Sequence, residues 1–159
     1  MSRTTKVMNC SPEDVFDILT DGWNYATWVV GAARIRSVDS DFPKPGAKIH
    51  HSVGVWPMLI SDDTEVERLE EPRELQLRVK AWPTGEGRVR ITCTPRGRQT
   101  EVVIEEESVS GPATLMPTAL ENVILHLRNV ETLRRLTYLA ESHAGQNGDN
   151  GSQARTHKR

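Results

Sequence analysis

The chain has 159 residues, a formal net charge of −2, and a hydrophobic content of 36%. A chain of this length is by default one domain and can bury a hydrophobic core. The near-neutral charge and the lack of a basic stripe argue against a nucleic-acid partner. No apolar run approaches membrane-spanning length, and the opening residues MSRTTKVMNCSPED lack the apolar stretch of a signal peptide. We therefore expect a cytoplasmic protein without integral membrane association.

The two cysteines, Cys10 and Cys93, are too few for a disulfide framework. Neither has histidine neighbours at a spacing that is typical of a metal site or a catalytic thiol. We interpret them as buried free thiols and expect no metal and no cofactor.

The first clear element is a helix that begins at Ser11-Pro12-Glu13-Asp14. Ser11 can cap the helix, Pro12 fits its first turn, and the two acids favour the positive end of its dipole. Val15, Phe16, Ile18 and Leu19 give this helix an apolar face. A short strand over residues 4–9 precedes it, and a second short helix over residues 23–30 follows it.

Alternation of apolar and polar residues then predicts a series of strands. They cover residues 33–39, 48–56, 60–69, 75–81, 89–93 and 100–108, and short turns rich in Pro and Gly separate most of them. Together with the first strand this gives about seven strands in an antiparallel meander. One face of the sheet is apolar, and the other is rich in Lys, Arg and Glu.

A long helix is predicted from about Pro117 to His143, with Gly145 at its end. Apolar residues recur at helical spacing over its early turns, at Leu120, Val123, Ile124, Leu127 and Val130. A later set of apolar residues comprises Leu133, Leu136, Leu139 and Ala140. Relative to the early set, it is rotated about the helix axis by roughly a quarter turn or more. The early and late turns should therefore face different neighbours, and the helix should cover the inner side of the sheet. We expect a domain over residues 1–143 and a disordered tail over 144–159, which is rich in Gly, Asn, Gln and Ser.

Several stretches resemble the polyketide cyclase/dehydrase-type branch of the START-like (SRPBCC, helix-grip) superfamily. They are Ser11 to Phe16, Asp21 to Trp28, Arg34 to Val38 with Pro45-Gly46, Leu69 to Leu75, and Arg128 to Glu141. Together with the order of elements, the resemblance covers nearly everything from Thr4 to Ser142. The Gly-Thr pair that relatives often show before the last strand is replaced by Arg98-Gln99-Thr100.

The resemblance implies an α+β helix-grip fold, in which a curved antiparallel sheet of about seven strands, with two short helices, carries the long C-terminal helix over its concave face. It also implies a deep cavity between sheet and helix for a hydrophobic small-molecule ligand such as a lipid or polyketide, in a monomer or a homodimer. It implies no catalytic residues, because the family has no shared catalytic set.

Two ionisable residues are candidates for chemistry in such a cavity. If Val102 and Ile104 face inward, so does Glu106, and a carboxyl group in an apolar cavity can serve as acid or base. The alternative, which we prefer, is a solvated Glu106 at the strand end. His51 shares a face with Ile49 and Val53, so it either contacts a ligand or is satisfied by a neighbouring side chain in the core.

The other candidate ligand-binding residues are those predicted to face the space between sheet and helix. The full set is Trp28, Ile49, His51, Val53, Trp56, Leu77, Val79, Ile91, Ile104, Glu106, Leu120, Val123, Ile124 and Leu127. Trp82 has outward parity and is predicted to pack at an edge. The pattern leaves open whether Asn122, His126 and Asn129 face the cavity, and it favours a solvated position for Arg128, Arg134 and Arg135.

Three functions remain open. The first, which we prefer, is binding or transport of an apolar or aromatic small molecule. The second is a polyketide aromatase/cyclase, which could act largely by holding a reactive chain in one geometry. The third is a protein-interaction module such as a toxin-antitoxin component. A cavity of several hundred Å³ would support the first two, His51 and Glu106 both lining it would favour the enzyme, and a solid core with an exposed apolar patch would favour the third.

Overall fold

The computed structural model describes residues 1–55, 57–81, 85–111 and 118–156, and within these the side chains at 55, 58, 81, 118–122 and 148–156 are not described. The elements follow the predicted order. They are β1 Ser2–Met8, α1 Pro12–Leu19, a 3₁₀ turn Gly22–Asn24, α2 Tyr25–Trp28, β2 Ala32–Val38, β3 Lys48–Val55, β4 Met58–Glu70, β5 Glu74–Ala81, β6 Gly85–Arg96, β7 Gln99–Ser110 and α3 Thr118–Thr156.

The seven strands form one antiparallel sheet in the order β1-β7-β6-β5-β4-β3-β2. Strands β2 to β7 are neighbours in sequence and in space, as the short turns predict. β1 pairs with β7, with Thr4 opposite Ile104. The predicted α+β helix-grip architecture, with a curved antiparallel sheet and a long C-terminal helix, is confirmed.

The start of α1 forms as the Ser-Pro-Glu-Asp sequence predicts. The Ser11 side chain accepts a hydrogen bond from the Asp14 backbone, and the Asp14 side chain accepts one from the Ser11 backbone. This reciprocal pair satisfies two donors that the first turn would leave free. Val15, Phe16, Ile18 and Leu19 are buried in the core.

The two halves of α3 differ in what they contact. Leu133, Leu136 and Ala140 are buried in the main hydrophobic cluster, and Glu141 accepts a hydrogen bond of 2.8 Å from the Asn9 backbone. Early in the helix, by contrast, the apolar side chains at 123, 124, 127 and 130 are exposed. The prediction that the two sets face different surroundings is correct, but the prediction that the early set faces the sheet is wrong.

The predicted end of α3 at Gly145 is also wrong, because the backbone remains helical to Thr156. A glycine costs a helix only about 1 kcal/mol relative to alanine and does not by itself end it, whereas a proline would. Among the described side chains, Ala144 is the last on α3 that packs against the core. The division into a domain over 1–143 and a tail over 144–159 stays a prediction.

Both cysteines are free and buried, as expected. Burial raises the pKa of the Cys10 thiol to about 11 and that of Cys93 to about 12. Both thiols are therefore protonated at neutral pH and are poor nucleophiles. Among the described residues, no helix combines the length and hydropathy needed to span a bilayer.

Candidate functional site

The alternation of β7 builds one wall of the space under α3. Val102, Ile104 and Glu106 lie on the same face of the strand and are all buried. The register with β6 places Val89 opposite Glu106 and Ile91 opposite Ile104. An inward carboxylate is thus placed at the end of a row of apolar side chains.

A pocket lies between this wall and α3. Its apolar lining comes from Val29, Leu77, Val79, Val89, Ile91 and Ile104, and its other lining residues are Tyr25, Trp28, Glu106, Arg128, Asn129 and Thr132. Its volume is about 50 Å³, which is room for roughly three to five water molecules. Sites for drug-sized ligands measure about 300–1,000 Å³, so the pocket that the described residues enclose is far smaller than the several hundred Å³ that we expected.

Among the polar lining side chains, Trp28, Glu106 and Asn129 are 2%, 6% and 3% exposed. Trp28 Nε1, Glu106 Oε2 and Asn129 Nδ2 have no hydrogen-bond partner among the described residues. Buried polar atoms are nearly always paired in folded proteins. All three residues line this one small cavity.

Glu106 and Arg128 form an ion pair between the sheet and α3, with Arg128 Nη2 donating to Glu106 Oε1. The preferred interpretation of Glu106 as a solvated residue at the strand end is therefore wrong, since strand alternation continues through it. The solvated position predicted for Arg128 is only partly right, because its side chain is 37% exposed but also lines the pocket. Its partner lies 22 residues away in sequence, a separation at which helical periodicity carries no information.

His51 is buried at 2% exposure, and its Nε2 is 3.0 Å from Thr64 Oγ1. The same hydroxyl lies 3.0 Å from the Tyr25 hydroxyl, and the Tyr25 ring lines the pocket. Burial lowers the pKa of His51 to about 4 and raises that of Tyr25 to about 12. Both side chains are therefore neutral at pH 7. Of the two predicted alternatives for His51, a hydrogen bond to a neighbouring side chain accounts for its Nε2. Its Nδ1 lacks a partner among the described residues.

The neighbouring His50 lies on the opposite face of β3. Its ring nitrogens are 2.7 Å from Asp63 Oδ1 and 3.0 Å from Asp39 Oδ1, and these hydrogen bonds raise the pKa of His50. The described residues contain no cluster of three or more His, Cys, Asp or Glu side chains that could hold a metal ion.

A family model described as polyketide cyclase / dehydrase and lipid transport matches residues 2–136. The chain belongs to this family. No curated protein matches the chain. Its individual relatives are therefore compared through solved structures.

Three solved structures show the same fold at low sequence identity. Protein CV1439 from Chromobacterium violaceum is 18% identical, with a TM-score of 0.64 over 87% of this chain and 96% of that one. DynU16, a putative protein in the dynemicin biosynthetic locus, is 20% identical, with a TM-score of 0.65 over 90% of this chain and 48% of that one. The di-domain ARO/CYC StfQ from the steffimycin biosynthetic pathway is 15% identical, with a TM-score of 0.64 over 90% of this chain and 45% of that one.

The structure brings six of the predicted ligand-binding residues of this polyketide cyclase/dehydrase family member to the pocket: Trp28, Leu77, Val79, Ile91, Ile104 and Glu106. Ile49 and His51 are buried deeper in β3, and Val53 is half-buried; these three are not among the described lining residues. Trp56 and Trp82, and the side chains of Leu120 and Asn122, lie outside the described set. Whether any of these residues binds a ligand stays a prediction.

Five lining residues were missed or assigned elsewhere: Tyr25, Val29, Val89, Arg128 and Thr132. Val89 could have been found from the alternation of its strand, because it shares parity with Ile91. Of the helix residues left open, Asn129 faces the pocket, while His126 is exposed and lies 3.1 Å from the Thr4 hydroxyl.

The early apolar residues of α3 form an exposed surface that we call the α3 strip: Val123, Ile124, Leu127 and Val130. Their exposures are 56%, 49%, 66% and 46%. The predicted ligand-binding positions Val123, Ile124 and Leu127 therefore do not face the cavity. The reason is the rotation of the helix, which directs the polar side of these turns, with Arg128 and Asn129, towards the sheet.

Proposed function

We propose that the protein binds a small, largely apolar molecule in the pocket between the sheet and α3. The observation that carries this proposal is a cavity whose lining combines apolar side chains with three buried polar atoms that lack described partners. Ligand sites in proteins combine these two features, with apolar walls for affinity and a few polar groups for orientation. Membership of a family described by polyketide chemistry and lipid transport supports the same class of ligand.

The size of the pocket sets a condition on this function. A cavity of about 50 Å³ accepts a xenon atom or a few waters, whereas a drug-sized ligand fits only if the lining moves apart. Arg128 and Asn129 on α3 and Ile104 and Glu106 on β7 all line the pocket, and the Arg128–Glu106 ion pair joins the two elements. We propose that a ligand enlarges the site by displacing its apolar lining side chains while this ion pair stays in place.

Catalysis is a weaker candidate. An aromatase/cyclase would need polar groups placed around the reacting chain, and His51 is not among the described residues that line the pocket with Glu106. His51 with its lowered pKa is a neutral donor or acceptor behind Tyr25, separated from the cavity by that ring.

The binding proposal is tested by filling the cavity. Methyl-detected NMR of Ile91 and Ile104 during titration with xenon and then toluene should show saturable shifts of both signals. Val79→Phe places a ring in the pocket and should abolish the shifts, and the milder Val79→Ile should weaken binding. Val109→Phe is the matched control, since Val109 is an exposed strand valine and its replacement should leave binding unchanged. Equal binding by Val79→Phe and the wild type would contradict the proposal.

The α3 strip favours a second candidate, assembly with a second copy of this chain. Ile124 and Val130 are each three positions from Leu127, so an antiparallel two-fold pairing centred on Leu127 places Ile124 opposite Val130. Such self-complementarity is what a two-fold interface needs. It accords with our expectation of a monomer or a homodimer, and the exposed strip supports the dimer.

Light scattering over a range of protein concentrations tests this candidate. A dimer that Leu127→Glu converts to a monomer, while Ser142→Glu at another exposed position of α3 does not, would support it. A wild-type monomer at hundreds of micromolar would overturn it without affecting the pocket.

A further inference from the structure

The polar corner of the pocket specifies more than an apolar ligand. We infer that the pocket selects a neutral molecule that carries a hydrogen-bond-accepting oxygen and a hydroxyl group, and that it discriminates against carboxylates. This inference rests on the proposed function and assigns separate roles to Trp28, Asn129, Glu106 and Arg128.

The donor side of the corner is Trp28. Its indole nitrogen can only donate a hydrogen bond, and the atom is buried without a described acceptor. Its ring is fixed edge-on to Tyr25, with 5.4 Å between ring centroids, so the donor has a defined position. Asn129 adds an amide from α3, and its Nδ2 is likewise unpaired among the described residues. A carbonyl or ether oxygen on the ligand would satisfy these donors.

The acceptor side is Glu106. One carboxylate oxygen receives the Arg128 guanidinium, and the other, Oε2, is buried without a described donor. An ionised carboxylate only accepts hydrogen bonds. The ligand group that fits Oε2 therefore carries a proton, and a hydroxyl is the simplest such group on a neutral molecule.

The balance of charge around the pocket argues against an anionic ligand. Among the described lining residues, Arg128 is the cation and Glu106 is the anion, and they neutralise each other. A ligand carboxylate would stand next to Glu106 in a site with little water, where like charges repel strongly. It could bind only by taking Arg128 from Glu106 and leaving that carboxylate buried and unpaired, which is costly.

The hydroxyl groups of Tyr25 and Thr132 in the lining each have a described partner. The Tyr25 hydroxyl lies 3.0 Å from the Thr64 hydroxyl, and Thr132 Oγ1 accepts a hydrogen bond of 3.3 Å from the Val30 backbone. The other lining residues, Val29, Leu77, Val79, Val89, Ile91 and Ile104, are apolar, so the body of the ligand is apolar.

A set of small aromatic probes of similar shape separates the contributions. Ethylbenzene carries neither polar group, acetophenone the acceptor, 4-ethylphenol the hydroxyl, and 3- and 4-hydroxyacetophenone both, while 4-methylbenzoate is the anion. Dissociation constants come from NMR titration, with the Trp28 indole N–H signal as the reporter of the acceptor contact. We expect each polar group to tighten binding by about tenfold relative to ethylbenzene, and the benzoate to bind most weakly.

Two variants assign the effects to residues. Trp28→Phe should reduce the preference for acetophenone over ethylbenzene, because the indole donor is lost, and the exposed Trp23→Phe is its control. Glu106→Gln releases Arg128, so it should strengthen 4-methylbenzoate by about tenfold or more. The matched control is Glu105→Gln, whose side chain points to the outer face of the sheet.

The outcomes distinguish this inference from the function on which it rests. Equal affinities for ethylbenzene and the hydroxyacetophenones, unchanged in Glu106→Gln, would overturn the inference and leave the apolar pocket standing. Strongest binding of 4-methylbenzoate to the wild type would overturn the inference as well. Failure of every probe, xenon and toluene included, would overturn both. If Trp28→Phe does not fold by circular dichroism, the wild-type probe series and Glu106→Gln still decide the question.

Discussion

The early and late turns of α3 have similar apolar content but different surroundings. Leu136 and Ala140 are completely buried against the sheet and α1, whereas Leu127, only nine positions before Leu136, is 66% exposed. Helical periodicity identifies a helix, yet it does not state where along its length a partner is present. In the early half, the face turned towards the sheet is polar, and that face carries Arg128 and Asn129.

The largest expected effect tests this difference directly. Leu136→Ala removes a fully buried side chain and should lower the free energy of unfolding by about 2–5 kcal/mol. At protein concentrations low enough to keep the chain monomeric, Leu127→Ala should change it by less than about 0.5 kcal/mol, because its side chain is then largely in solvent. Chemical denaturation of both variants measures the contrast. Similar losses would show that the α3 strip is covered by a partner or by another part of the chain.

A second prediction extends the comparison to two neighbours in β3, His51 on the inner face and His50 on the outer. Burial lowers the pKa of His51 to about 4, so the unfolded chain takes up this proton first as the pH falls below about 6.5. The stability associated with a neutral His51 is lost between about pH 6.5 and pH 4, on the order of 3 kcal/mol.

The opposite sign applies to His50, whose pKa is raised chiefly by its hydrogen bond to Asp63 and then by that to Asp39. Its contribution is complete below about pH 6.5 and is lost as the pH rises through its folded-state pKa. Unfolding free energies from pH 4 to 8 should therefore become flatter on the acid side in His51→Gln, and on the alkaline side in His50→Gln. Parallel curves for His51→Gln and the wild type would contradict the buried neutral imidazole.

A third prediction concerns the boundary between the two halves of α3. Arg128→Met leaves the Glu106 carboxylate buried without its cation, and we expect a loss of about 1–3 kcal/mol. Arg134→Met, which removes an exposed ion pair with Glu131, should cost at most about 1 kcal/mol. A double-mutant cycle with Glu106→Gln should show that most of the Arg128 loss depends on Glu106. A coupling near zero would mean that the pair does not hold α3 to the sheet.

The smallest effect is expected at the end of the chain. Among the described side chains, packing of α3 on the core ends at Ala144, so truncation after Asn147 should change the free energy of unfolding by less than about 0.5 kcal/mol. Truncation after Leu139 removes Ala140 and the Asn9–Glu141 contact and is the destabilising comparison. A large loss of unfolding free energy on truncation after Asn147 would show that residues 148–159 belong to the folded domain.

Much of the fold could be predicted because the alternation of apolar and polar residues within each strand indicates which of its faces is buried. The alternation of Val102 and Ile104 indicates an inward Glu106, although we preferred the solvated alternative, and the reciprocal capping at Ser11 and Asp14 depends only on nearby residues. The site was harder, because it depends on the rotation of α3 about its axis. The Glu106–Arg128 pair decides that rotation together with Leu133 and Leu136, and nothing local to residues 120–130 reveals it. Because this rotation could not be predicted, we assigned the residues of the α3 strip to the cavity.

Intermolecular nuclear Overhauser effects from bound 4-hydroxyacetophenone test the central claim most directly, because they distinguish the pocket from the α3 strip in one spectrum. The account predicts contacts from the probe to the methyl groups of Ile91 and Ile104 and to the Trp28 indole N–H. Contacts confined to the methyl groups of Val123 and Leu127 would contradict it, since the ligand would then bind the outer surface of α3 and the buried polar corner would remain without a function.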